Sequence, residues 1–347
     1  MKNYKVIISA IIFLILIFGI SCNPDIEVNG EYQDIPVVYC VLDQSQEYQY
    51  VKVNKTFLGE LSAIEMAKIS DSLFYKNVEV TLNQYNNSTL VRSWAFEEVD
   101  MPKDDGIFAN DKNIIYRSQI PFGNINSDSK YELVVNIENG KYVVTGEAYL
   151  ITGLKVTKPS RSGSYIALAN LDNEYEYRFN TVSQGYVYQM IVGFNYLEVN
   201  GSDTVYKSFS WPMNQQVIKD NGEMSGRFSV TAFYNQIRSH IPPAENGLQR
   251  LVKMPESVTF RLVGVSEDYY TYMQVSQPSS GIVQYNPEFS NVVGGRGLFT
   301  SRTSSEVIHT TFNSKTLDFI NRDEYISDLG FVPYNNDYYK PYYNISQ

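Results

Sequence analysis

Alternation of apolar and polar positions dominates this chain and predicts strands from about residue 36 onward. Residues 36–42 form a nearly continuous apolar run, and 48–57 keep β character through Tyr48, Tyr50, Val51 and Val53. In residues 78–85, Val78, Val80 and Leu82 share one face, while Glu79, Thr81 and Asn83 share the other. The turn residues 86–89 then lead into a second run at 90–96, which reads as a hairpin. Asn139-Gly140, between two alternating runs, is the best short hairpin signal, because a type I′ turn requires positive φ at both central positions. In the second half, residues 186–199 predict a long strand that residues 200–203 turn back into 204–211.

Helical spacing is rare. Leu61, Ile64, Met66, Ile69 and Leu73 fit it loosely and predict a helix or ordered loop across 61–77. Short helices are expected at 231–241, at 266–276 and within 313–331. Ser266 suits an N-cap, with Glu267 and Asp268 in the first turn where the helix dipole favours acids. Short strands without alternating helices imply an all-β chain: two β-sandwich-like domains in tandem with a few short helices. The expected divisions are an Ig-like sandwich at 35–152, a β-rich domain at 160–332 and a Tyr-rich tail at 333–347. Residues 155–164, with Pro, Gly and Ser, are the expected joint.

Hydrophobic residues at 43% against 19% charged place the chain among globular proteins rather than disordered ones. A net charge of −10, with no Lys/Arg block to offset it, argues against a nucleic-acid partner. The outlier is 29 tyrosines, a residue that suits both half-buried strands and binding surfaces. Cys40 lies in a strand-like apolar run and is expected to be a buried thiol.

The N-terminus carries an address. Lys2 and Lys5 precede an apolar stretch from Val6 to Ile20, which is short for a membrane span and suits a signal peptide. Ser21 and Cys22 follow directly, and this arrangement resembles a bacterial lipoprotein signal. The resemblance implies a signal peptide at 1–21, lipidation of Cys22 and a tether at 22–34. Cleavage would remove Lys2 and Lys5 and no acid, leaving a mature chain near −12. Gly19 departs from the pattern, where a bulky aliphatic residue is usual three positions before the Cys.

A second resemblance is carried by Asn291, Gly295, Gly297 and Phe299, which read as N-x-x-x-G-x-G-x-F. Together with Asp25-Ile26-Glu27, the run of Pro36, Val37, Val38 and Leu42, and the Tyr-rich 266–274, the segment resembles a family of Bacteroidota outer-membrane lipoproteins of unknown function. Members are often encoded beside TonB-dependent transporters. The resemblance implies a lipid-anchored outer-membrane protein with a membrane-protein partner, and it brings no catalytic residues. Asn-Pro-Asp-Ile-Glu after Cys22 lacks the Lys or paired acids of surface-export signals, which leaves the periplasmic and cell-surface sides both open. Asp71-Ser72 and Asp203-Thr204 resemble the O-glycosylation sequon of that phylum.

Candidate chemistry is sparse. His240 precedes a Pro pair, and His309 sits in an alternating run. No G-x-S-x-G, H-E-x-x-H or zinc-spaced Cys/His set occurs. Asp104, Asp105 and Asp111 gather oxygen donors in one stretch, a weak calcium candidate that lacks EF-hand spacing. Glu97-Glu98 are adjacent acids. Trp94 and Trp211 are candidates for sugar stacking. Asn291, Gly295, Arg296, Gly297 and Phe299 form the candidate partner loop. It is expected at the surface, with positive φ at Gly295 or Gly297 and with Phe299 pinned to the second domain's core. The expected function is a non-enzymatic accessory or binding protein without cofactor or metal. A glycan-binding module is the alternative, and a hydrolase whose acids meet only in three dimensions is a further one.

Overall fold

The computed structural model describes residues 34–56, 63–66, 68–102, 112–121, 124–126, 129–217, 222–245, 247–277, 288–322 and 325–334. Residues 1–33, with Cys22, lie outside these, as do Asp104, Asp105, Asp111 and residues 335–347. The fold is all-β with a few short helices, as the alternation predicts.

The first half holds β1 (Pro36–Leu42), β2 (Tyr48–Lys55), β3 (Val78–Asn86), β4 (Thr89–Asp100), β5 (Ile114–Gln119), β6 (Lys130–Ile137) and β7 (Tyr142–Tyr149). β4 is long enough to serve two neighbours. Its residues 89–96 pair with β3, and Glu97 to Asp100 pair with β5. Alternate residues point inward. Val38, Cys40 and Leu42 from β1 meet Val51 and Val53 from β2 and Leu133, Val135 and Ile137 from β6 in one dry core. Fully burying such a side chain contributes about 1.5–3 kcal/mol.

Local signals are met where they are strong. The β3–β4 hairpin turns at Asn87 and Ser88, both at positive φ. Asn139 and Gly140 do have positive φ, but Glu138 has it too, and the connection runs from 138 to 141 rather than being a two-residue turn. The Glu138 N–H donates to the Asn77 carbonyl, which holds the wider loop. The helix expected over 61–77 is two single turns, α1 (Ala63–Met66) and α2 (Ser70–Leu73). Its apolar spacing was too irregular to give one buried stripe: Ile69, expected to face inward, is 43% exposed.

The second half holds β8 (Lys155–Lys158), β9 (Ser164–Ile166), β10 (Glu174–Asn180), β11 (Val187–Asn200), β12 (Asp203–Pro212), β13 (Gln216–Val217), β14 (Glu223–Ser229), α3 (Val230–His240), β15 (Gln249–Val252), β16 (Val258–Val265) and α4 (Glu267–Val275). It closes with β17 (Val292–Val293), β18 (Arg296–Ser304), β19 (Ile308–Phe312) and α5 (Ser314–Arg322). The long β11–β12 hairpin turns at Gly201-Ser202. Its inner face, with Met190, Val192 and Phe194, packs with Phe179 of β10 and with Phe233, Tyr234 and Ile237 of α3. Ser229 caps α3 and Ser266 caps α4, each accepting from the backbone N–H three residues on. The expected joint at 155–164 is partly strand: β8 pairs with β10, and β9 follows to pair with β19.

The largest difference from the sequence reading is β17–β18. These strands lie late in the chain but complete the first half. β17 pairs with β7, and β18 runs parallel to β1, with Val37 opposite Arg296 and Leu42 opposite Ser301. One corner therefore joins both free edges of the first-half strands. Beyond it, Arg302 to Ser304 pair with β16, so β18 also carries the sheet into the second half. A strand fed from a distant sequence position leaves no local trace, which is why a simple tandem of 35–152 and 160–332 was expected.

Candidate functional site

The segment from Asn291 to Phe299 is a structural corner rather than a surface loop. Phe299 is buried in the core of the first half, not the second. The Asn291 side chain acts as a substitute strand edge. Its Nδ2 donates to the Phe299 carbonyl at 2.8 Å, and its Oδ1 accepts from the Phe299 N–H at 2.9 Å. The same Nδ2 donates to Asp268 Oδ2 of α4 at 2.8 Å. Gly297 has φ +127°, and an added Cβ would lie 2.7 Å from the Val38 carbonyl carbon, inside the parallel ladder. Gly295 does not have positive φ, and a Cβ there would meet the Pro36 carbonyl oxygen at 2.7 Å. Glycine is required at both because the backbone of β1 leaves no room. Arg296 is exposed and ion-paired with Glu288. The N-x-x-x-G-x-G-x-F pattern thus encodes a fastening of the fold.

The two tryptophans do not form a shared platform. Trp94, opposite Leu82, is half-buried against the first core. Trp211 is 8% exposed in the second core, edge-on to Phe233 at 5.5 Å. It does line a cleft of about 550 Å³ between the end of β12, strand β14 and the start of α3. Tyr177, Phe228 and Phe233 join it as the floor, and Asn214, Gln216 and Gln236 supply amides at the rim. Gln216 Nε2 donates to the Tyr177 hydroxyl at 3.2 Å.

The remaining candidates separate in space. Glu97 pairs with Arg117, while Glu98 accepts from the Tyr116 hydroxyl, so strand alternation directs the adjacent acids apart. His240 ends α3, stacked on Phe209 at 4.3 Å. His309 lies on β19 opposite Thr259. Among the described residues, no group of three or more His, Cys, Asp or Glu is placed to hold a metal ion. Asp203 and Thr204 sit at the tip of the β11–β12 hairpin; the Asp71 side chain lies outside the described residues. Cys40 is free and buried, and burial pushes its thiol pKa up.

The site that sequence reading missed is a belt of tyrosines. On β2, Tyr48, Tyr50 and Lys52 share the outward face, and Tyr39 on β1 stands directly opposite Lys52. Tyr39 is 36% exposed and Tyr50 40%. Tyr39 meets Tyr272 of α4 edge-on at 5.6 Å, and Tyr270 of the same helix meets Tyr186 at 5.8 Å. At the other end, Tyr48 lies 6.5 Å from Tyr50 under the Arg117 guanidinium. No residue of α4 is fully buried, so the helix lies partly exposed beside the β1–β18 seam. Partial burial, and then the hydrogen bond and charge of the Tyr272 hydroxyl, push the Tyr39 phenol up to about 12. It is therefore neutral at physiological pH. The signal was present in the alternation of Tyr48, Tyr50 and Lys52, but nothing local said which face was outward.

The chain matches no protein-family model and no curated protein.

Proposed function

We propose that this chain is a lipid-anchored, non-catalytic binding protein of the outer membrane that docks on a membrane-resident protein, such as a TonB-dependent transporter, through the tyrosine belt. The belt carries the reading. Tyrosine and arginine are the residues that most often dominate protein–protein binding energy, because they bring large area with a polar tip at low entropic cost. The belt runs from β2 through β1 to α4, with Arg117 at one end.

Position supports a partner in the membrane. β1 begins 14 residues after Cys22, and a chain extends at most about 3.3–3.6 Å per residue. A lipid on Cys22 would hold the start of β1 within about 50 Å of the bilayer surface. Multiple acyl chains gain about 0.8 kcal/mol per buried methylene, enough for stable anchoring.

Two measurements test this. Cys22→Ser should move the protein out of the membrane fraction and abolish labelling by a palmitate analogue; unchanged fractionation would remove the anchor from the proposal. A photo-crosslinker at Tyr50 should capture one outer-membrane β-barrel protein, and Tyr39→Ala with Tyr272→Ala should weaken that capture without lowering the melting temperature. Equal capture from a probe at Tyr165, an exposed residue on β9, would overturn the docking assignment.

The Trp211 cleft favours a second reading, a small neutral glycan held by an aromatic floor and an amide rim. Chemical-shift changes confined to the Trp211 indole and the Gln216 and Gln236 amides on adding neutral oligosaccharides would support it. Shifts spread evenly over the surface would not.

A further inference from the structure

The outward face of the second-half sheet carries a polar trough, on the side of β11 opposite the aromatic core. Strand register puts Ser210, Gly193, Thr259 and His309 in one row across β12, β11, β16 and β19. Asn195 and Ser208 form the row on one side, and Ile191 and Arg261 the row on the other. Gly193 gives the floor its depth, since a Cβ there would overlap the Thr259 hydroxyl. The open hollow holds about 570 Å³, with Tyr206 and Val307 among its lining residues beside His309. That volume is in the range of sites for small organic ligands.

The polar groups divide into satisfied and unsatisfied sets. Tyr206 donates its hydroxyl to Asn195 Oδ1 at 2.9 Å, and Asn195 Nδ2 donates to the Glu256 carbonyl at 2.7 Å, which fixes that end. Among the described residues, Arg261 has no ion pair, and the Ser208, Ser210 and Thr259 side chains have no hydrogen bond. His309 Nδ1 is shut off from solvent and has no hydrogen-bond partner. Among the described residues, no Asp or Glu lines the trough. An exposed guanidinium without an ion pair, facing a hollow that no acid lines, marks a place for an anion.

We propose that this trough binds a carboxylate-bearing saccharide. Arg261 takes the carboxylate with its planar fork, a geometry that pairs two N–H donors with two oxygens. Ser208, Ser210 and Thr259 take the ring hydroxyls, and the flat floor at Gly193 seats the ring. This site lies apart from the tyrosine belt, so it stands or falls independently of the docking proposal.

The test is calorimetric titration of the full-length protein in detergent with digalacturonate, and with its neutral counterpart, acetate and phosphate as separate arms. Digalacturonate should bind roughly tenfold more tightly than the neutral sugar, and Arg261→Gln should remove that margin, since a charge-assisted hydrogen bond is worth about that factor. Arg261 is exposed and makes no ion pair, so the variant should melt with the wild type. Arg161→Gln, on the separate cleft beside β8, should bind as wild type does. The proposal is overturned if digalacturonate does not bind, if the neutral sugar binds equally well, or if acetate or phosphate alone binds as tightly. It is also overturned if Arg261→Gln leaves the affinity unchanged.

Discussion

Asn291→Asp should destabilise the protein more than its near-identical shape suggests. The substitution keeps the acceptor that takes the Phe299 N–H and removes both donors. The bond to the Phe299 carbonyl is worth about 0.5–1.5 kcal/mol, and the one to the Asp268 carboxylate about 1.5–3. The new carboxylate also faces Asp268 at what was hydrogen-bond distance. Two charges at 4 Å repel by about 4 kcal/mol at an effective dielectric of 20, and solvent at this half-buried site reduces that further. The two lost bonds sum to about 2–4.5 kcal/mol, and the screened repulsion adds to them. Asn291→Ala loses all three bonds without adding repulsion and should cost about 2.5–6 kcal/mol. Adding Asp268→Asn to Asn291→Asp returns a donor to the pair and should recover at least about 1.5 kcal/mol. Urea denaturation of the wild type, Asn291→Asp, Asp268→Asn and the double variant measures this cycle, and hydrogen exchange at the Phe299 amide reports whether loss is local. A cost below about 1 kcal/mol for Asn291→Asp, or no recovery in the double variant, would refute the view of Asn291 as a substitute strand edge.

Gly297→Val should lower the melting temperature severely or prevent folding, because its side chain enters the β1–β18 ladder at Val38, while Arg296→Ala should leave it within about 1 °C. Arg250→Ala should cost about 3–5 kcal/mol in denaturant unfolding: this buried guanidinium donates to Glu198 and to the Pro242 and Leu329 carbonyls, all of which lose their donor. Cys40 should resist thiol reagents in the native state and react fully in urea. Its folded pKa is raised above the unfolded value of 9.0, so its contribution is fully present below pH 9 and is lost as pH rises beyond that. Cys40→Ala should flatten that part of a stability–pH profile, and a thiol that reacts rapidly in the native state at pH 8 would contradict its burial.

The sequence made legible what is decided within about a dozen residues. Asn87-Ser88 and Gly201-Ser202 turn hairpins because short polar residues and glycine reach the required backbone angles. Ser266 caps α4 because its hydroxyl meets the Tyr269 N–H. What was hidden depends on partners far along the chain. Phe299 and Gly297 looked like a loop because the strand beside them, β1, lies near the other end of the sequence. Trp211 looked like a platform because composition does not tell a buried ring from an exposed one. Tyr39 and Tyr272 meet only through the β1–β18 seam, and Arg261 and His309 share a hollow only through the register of β16 and β19.

That late-arriving strand also sets an order of events. β1 reaches the folding compartment first and its parallel neighbour about 250 residues later. β1 and β2 close a short loop and associate at once. Closing the loop to β18 costs about 5 kcal/mol of chain entropy, against under about 2 for a six-residue turn. Until residue 301 has emerged, the nascent first half has its interior slot for Phe299 empty and ladder groups of β1 and β7 unpaired. Such edges are templates for pairing with other chains. Maturation of the first half is therefore a late step governed by arrival of the second. A polypeptide stalled or cleaved before Asn291 would be a sticky intermediate rather than a smaller working protein.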